Sequence, residues 1–235
     1  MKNHIPRITA FLAGLFAFSA APAFAQIWNF DTDAQGWTLF DAAGSGNYSN
    51  VGSGPLTWHA TGGNPGGFVS GLDPSGGSFM FLAPITGVNY SGFIGGKLNF
   101  SLETDQTPDF TDDAVIVFKG GGAGLTIVAP LGTLPGVSWT NYSLDLNASA
   151  FRLNNLAGAV VTTSQFADVL GSLNVFLING EFHNGISETS GLDSVAFVAP
   201  ISGVPEPSVY GLGGVALLGA LVAWRRKREV ASALI

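Results

Sequence analysis

Cysteine is absent from this chain, and basic side chains are scarce once its two ends are set aside. Without thiols there is no disulfide staple, no cysteine nucleophile and no thiolate metal site. Histidine is nearly as rare: beyond the leader only His59 and His183 occur, and no H-E-x-x-H or G-x-S-x-G pattern is present. A zinc hydrolase or an elbow-type serine hydrolase therefore lacks its parts, and we expect no catalytic residue and no enzyme. Between residues 26 and 203, three basic residues (Lys97, Lys119, Arg152) face fourteen Asp and Glu. That imbalance repels nucleic acid and anionic membranes, and suits a cation such as Ca²⁺ or a neutral glycan.

What the chain does have begins at its ends. Lys2 and Arg7 precede an apolar stretch from Ile8 to about Phe18, and Ala23-Phe24-Ala25 follows. Those are the three regions of a secretory signal peptide over residues 1–25, cleaved after Ala25. At the other end, residues 209–224 carry no charge and would run about 24 Å as a helix. With flanking residues, a span over about 208–224 approaches the thickness of a bilayer core. Arg225, Arg226, Lys227 and Arg228 then supply the basic cluster expected on the cytoplasmic side. Pro205-Glu206-Pro207, the apolar span and the basic end stand in one order over residues 204–230, and together they resemble the PEP-CTERM sorting signal of Gram-negative bacteria. The resemblance implies export through the Sec machinery, transient anchoring in the inner membrane, removal of the tail by an exosortase, and delivery to the cell surface and its biofilm matrix.

The roughly 180 residues between these ends are enough for one domain with its own core. Short apolar or alternating runs recur there: 79–83, 97–103, 114–118, 125–128, 139–146, 175–178 and 195–198. In 97–103 the pattern is strict, with Leu98, Phe100 and Leu102 on one face. Seven such runs separated by Gly, Pro, Asn and Asp predict an all-β antiparallel sandwich or jelly roll over residues 26–203. One helix interrupts them. Thr162 and Gln165 have capping-box spacing, Phe166, Val169, Leu170 and Leu173 fall at helical intervals, and Gly171 ends the pattern.

The ordered series of FMFLAPITGVNYSGFIGGKLNFSLE at 79–103, Asp113–Val117, Trp139–Tyr142, Ser164–Leu173 and Leu192–Val195 resembles the laminin B (domain IV) module over roughly residues 57–198. The resemblance implies a galactose-binding-like jelly roll found in matrix proteins, and no catalytic residues.

Three segments are candidates for binding. Phe30 to Trp37 opens like an EF-hand loop, but its twelfth position is Ala42 and no helix flanks it. It is similar instead to the start of many carbohydrate-binding modules. That similarity implies a structural Ca²⁺ shared by Asp31, Asp33 and Asp193; a solvated turn is the alternative. The four-aspartate segment 104–113 reads as a soluble loop that discourages edge pairing. In 58–68 the glycines suit a tight loop with Asn64 bonding locally, while Trp58 and Phe68 are candidates to stack on a sugar. Trp28, Trp37 and Trp139 suit a core equally well, as strand aromatics usually do. The expected function is binding of polysaccharide in the extracellular matrix, with Trp58, Asn64 and Phe68 as contacts. The alternative is a structural protein–protein adhesion module of that matrix.

Overall fold

The computed structural model describes residues 25–200, apart from 45, 74–77, 110–114 and 184–185. The sorting motif, the apolar tail and the leader up to Phe24 lie outside the described residues. Among those described, no helix is long and apolar enough to cross a membrane.

Thirteen strands are seen among the described residues. The first six are β1 (Ala25–Trp28), β2 (Thr38–Gly44), β3 (Asn47–Pro55), β4 (Thr57–Gly63), β5 (Gly66–Leu72) and β6 (Ser78–Leu82). Then come β7 (Lys97–Thr104), β8 (Val115–Gly120), β9 (Leu125–Pro130), β10 (Thr140–Asp145) and β11 (Arg152–Leu153). A helix, α1 (Thr163–Gly171), precedes β12 (Leu173–Asn179) and β13 (Thr189–Val198). They form two antiparallel sheets. The front sheet has the order β10-β7-β13-β5-β4, with β1 also on β13; the back sheet runs β11-β9-β8-β12-β6-β2-β3. This is the sandwich that the sequence pattern predicts.

Alternation decides which side chains enter the core. On β7, Leu98, Phe100 and Leu102 point inward and are buried, while Ser101 and Glu103 belong to the outer face. Phe197 on β13 sits at the centre of the core, within 6.4 Å of the rings of Trp28, Tyr90, Phe93, Phe118 and Phe176. Trp28 in turn meets Trp37 edge to face at 5.4 Å. The back sheet is apolar on its other face too, where Phe40, Met80, Val117, Val128 and Leu177 are buried. Burial on both faces explains why 79–83 and 115–118 read as continuous apolar runs.

The helix forms as its cap dictates. Thr162 Oγ1 accepts from Gln165 N at 3.3 Å, and Gln165 Oε1 accepts from Thr162 N at 2.9 Å. Phe166, Val169 and Leu170 are its buried residues, and it packs against β8 and β9.

The segment 58–68 corrects the loop expected from its glycines. It is a hairpin, β4 and β5, with only Asn64 and Pro65 at the turn, and it forms one border of the front sheet.

Candidate functional site

The site lies on the outer face of the front sheet. His59 and Phe68 are register partners across β4 and β5, and their rings stack at 4.3 Å. His59 Nε2 also shares a hydrogen bond of 2.9 Å with Ser70 Oγ. Trp139, just before β10, reaches across the sheet: its Nε1 donates to the Gly62 carbonyl at 2.8 Å, and its ring meets Phe68 edge to face at 5.3 Å. Gly191 on β13 makes that crossing feasible. A Cβ there would lie 3.0 Å from both Trp139 Cη2 and Glu103 Cγ. Next to these aromatics is a cleft of about 260 Å³, lined among others by His59, Phe68, Ser70, Glu103, Asp105 and Val137. Burial raises the pKa of the Glu103 carboxyl above its ordinary value. Two apolar side chains, Val137 and Leu72, stand exposed on this side, at 65% and 60%.

The three residues expected to meet a sugar part company. Phe68 is in the cleft. Trp58 pairs with Val69, whose side chain is in the core, so strand alternation puts Trp58 on the inner side of the border strand β4. It is 37% exposed, and its Nε1 donates to the Phe30 carbonyl at 2.6 Å. Asn64 is a clamp: its Nδ2 donates to Asn141 Oδ1 at 2.9 Å and to Ser101 Oγ at 3.4 Å, while its N donates to Asp193 Oδ2 at 2.5 Å. Trp139 and His59 take the places that Trp58 and Asn64 were expected to hold. Alternation along Phe68-Val69-Ser70 was a signal within reach of the sequence; the loop reading of 58–68 concealed it.

The expected metal residues separate in a similar way. Asp193 is fully buried and accepts from Asn64 N and Ser194 N, the latter at 2.5 Å. Burial raises its pKa, those bonds lower it, and the charge of Asp31 raises it again. Asp33 is occupied in its own turn, where it accepts from Gln35 N at 2.7 Å. Among the described residues, no three His, Asp or Glu side chains form a group that would hold a metal. Two carboxylates nevertheless face a cradle rich in oxygen. A Cβ on Gly66 would lie 2.5 Å from Asp31 Oδ1, and one on Gly63 would lie 2.7 Å from Asp193 Oδ2 and 2.4 Å from the Gly67 carbonyl. Hard oxygen donors of this kind fit Ca²⁺ and fit no softer metal as well.

A further acidic group, invisible in the sequence, lies at one end of the sheets. Glu188 is fully buried; its Oε1 accepts from Phe182 N and its Oε2 from Thr104 Oγ1 at 3.4 Å. Burial is the main cause that pushes its pKa up to about 7, aided by the charges of Asp73 and Asp105. Asp105 itself accepts from Thr189 N at 3.0 Å.

Residues 94–206 match the family description Laminin B (Domain IV), and residues 203–227 match the PEP-CTERM protein-sorting motif. The chain carries a PEP-CTERM sorting motif, and the segment before it is similar to a laminin B module. The motif indicates export and sorting in Gram-negative bacteria and implies processing by an exosortase. No curated protein matches the chain. Among solved structures, the L4b domain of human laminin alpha-2 is similar at 13% identity and a TM-score of 0.59, covering 74% of this chain and 97% of that one. The family 11 carbohydrate-binding module of the cellulase Lic26A-Cel5E of Clostridium thermocellum is similar at 10% identity and a TM-score of 0.50, covering 78% and 99%. The same family's module in complex with a beta-1,3-1,4-mixed-linked tetrasaccharide is similar at 11% identity, with the same TM-score and the same coverage. At these identities the likeness concerns the fold: laminin modules and carbohydrate-binding modules share this sandwich.

Proposed function

We propose that the laminin B-like module binds glycan in the cleft of its front sheet, and that the protein serves the extracellular matrix without catalysis. The carrying observation is the outward group of His59, Phe68 and Trp139 beside a floor of Ser70, Gly191 and Glu103. Aromatic rings meet the apolar faces of a sugar, while hydroxyl and carboxyl oxygens accept from its hydroxyls. The likeness in fold to a module solved with a bound tetrasaccharide supports this reading. Before it reaches the matrix, the chain is held in the inner membrane by the span at 208–224 and is cut by the exosortase near Pro205–Pro207.

A structural Ca²⁺ belongs to the same reading. Asp31 and Asp193, with backbone carbonyls of the Gly63–Gly67 hairpin, would hold it. When bound, the ion would neutralise two carboxylates and join the N-terminal turn to the last strand. Asp33 would contribute by fixing that turn through Gln35.

The test is thermal melting of the full chain against neutral, acidic and amine-bearing polysaccharides. A ligand bound only by the folded state raises the midpoint. Phe68→Ala and Trp139→Ala should each remove that rise. Failure of every polysaccharide to move the midpoint would leave the cleft without a glycan role.

A further inference from the structure

The cleft carries charge of one sign. Glu103 and Asp105 line it, Thr104 ties it to the buried Glu188, and no Lys or Arg is among its lining residues. The basic side chains of the described residues are engaged elsewhere. Lys97 pairs with Asp145 at 2.7 Å, Lys119 donates to the Tyr48 carbonyl, and Arg152 donates to the carbonyls of Ser149 and Phe151 at 3.0 and 3.1 Å.

Within the cleft, Glu103 differs from its neighbour. Asp105 already accepts a backbone N–H, whereas the Glu103 carboxylate makes no hydrogen bond or ion pair with any described residue. A partly buried carboxylate without a donor is an interaction left for a ligand to complete. Trp139 lies beside it: the same missing Cβ of Gly191 would stand 3.0 Å from the indole Cη2 and from Glu103 Cγ. An unpaired carboxylate next to aromatic rings, with no Lys or Arg among the lining residues, suits an ammonium group carried on a ring that has an apolar face. Neutral sugars would leave Glu103 without a charged partner. Uronates and sulfated sugars would be repelled.

We infer that the cleft binds a polysaccharide bearing free primary amines, a de-N-acetylated hexosamine polymer, with Glu103 receiving the sugar ammonium. This rests on the glycan reading of the same cleft and adds the class of sugar and the residue that selects it.

Calorimetric titration of the full chain separates the two claims. The probes are the hexamers of glucosamine, N-acetylglucosamine, glucose (β-1,4-linked) and galacturonate. The glucosamine hexamer should bind about tenfold tighter than its acetylated counterpart. Its advantage should shrink between about 20 mM and about 200 mM salt, since screening weakens an exposed pair. Glu103→Gln should abolish the advantage, weakening the glucosamine hexamer far more than the neutral ones. Val137→Lys, a change at an exposed position on the cleft rim, should also weaken the glucosamine hexamer more than the neutral ones. Equal binding of the amine and acetylated hexamers, with Glu103→Gln silent, would overturn the amine claim and keep the glycan cleft. Binding of none of the four would overturn both.

Discussion

Glu188 shows how far one residue's setting departs from its sequence. It is a lone glutamate in a polar loop, yet it is fully buried and holds its proton up to about pH 7. The unfolded chain releases that proton near 4.5, its ordinary value. Between those values the folded state binds more protons, so stability is full below about 4.5 and is lost as pH rises towards 7. Melting midpoints measured from pH 4.5 to pH 8 should therefore fall, by up to a few kcal/mol in free energy, and Glu188→Gln should flatten the curve. A curve that rises across that window would contradict the burial of this carboxyl. Gly66 is a second residue whose identity is dictated by position. Its φ is +89°, and a Cβ would meet Asp31 Oδ1 at 2.5 Å. Gly66→Ala should cost about 1–3 kcal/mol in denaturant unfolding, from backbone strain and displacement of Asp31.

Among the elements, α1 was legible from its cap to Gly171, although Leu173, which continues the helical spacing, opens β12. Its cap is local chemistry: Thr162 and Gln165 satisfy each other's backbone donors, and nothing distant is needed. Thr162→Ala should cost about 1 kcal/mol. Helical content in the folded protein should change little, because Phe166, Val169 and Leu170 remain buried. The strand β7 was legible for a different reason, since strict alternation appears wherever one face meets the core and the other does not. The hairpin of β4 and β5 was not. Five glycines among residues 61–71 weaken every strand signal, and here they serve close approach to the N-terminal turn and to Phe79. Mistaking that hairpin for a loop is what put Trp58 and Phe68 on the same surface.

At the scale of the molecule, the N-terminal turn, the hairpin and the last strand meet around Asp31 and Asp193, which lie far apart in the chain. If Ca²⁺ joins them, it stabilises the whole sandwich and no single element. Adding about 1 mM Ca²⁺ after chelation should raise the melting midpoint, and Asp31→Asn should reduce the rise by weakening one of two carboxylate ligands. An unchanged midpoint would assign the turn to packing alone. The upward-shifted carboxyls of Glu103, Glu188 and Asp193 act in the same direction, so mild acid should favour the fold as a whole.

The sorting signal, the fold class, the helix α1 and the acidic balance followed from sequence alone, because each is set by local composition, by a linear motif or by periodicity over a few residues. The cleft did not. It needs His59 and Phe68 in register, Trp139 arriving from another strand, and Gly191 leaving room beneath it. Those are relations among residues up to 132 positions apart, and only the pairing of strands brings them to one face.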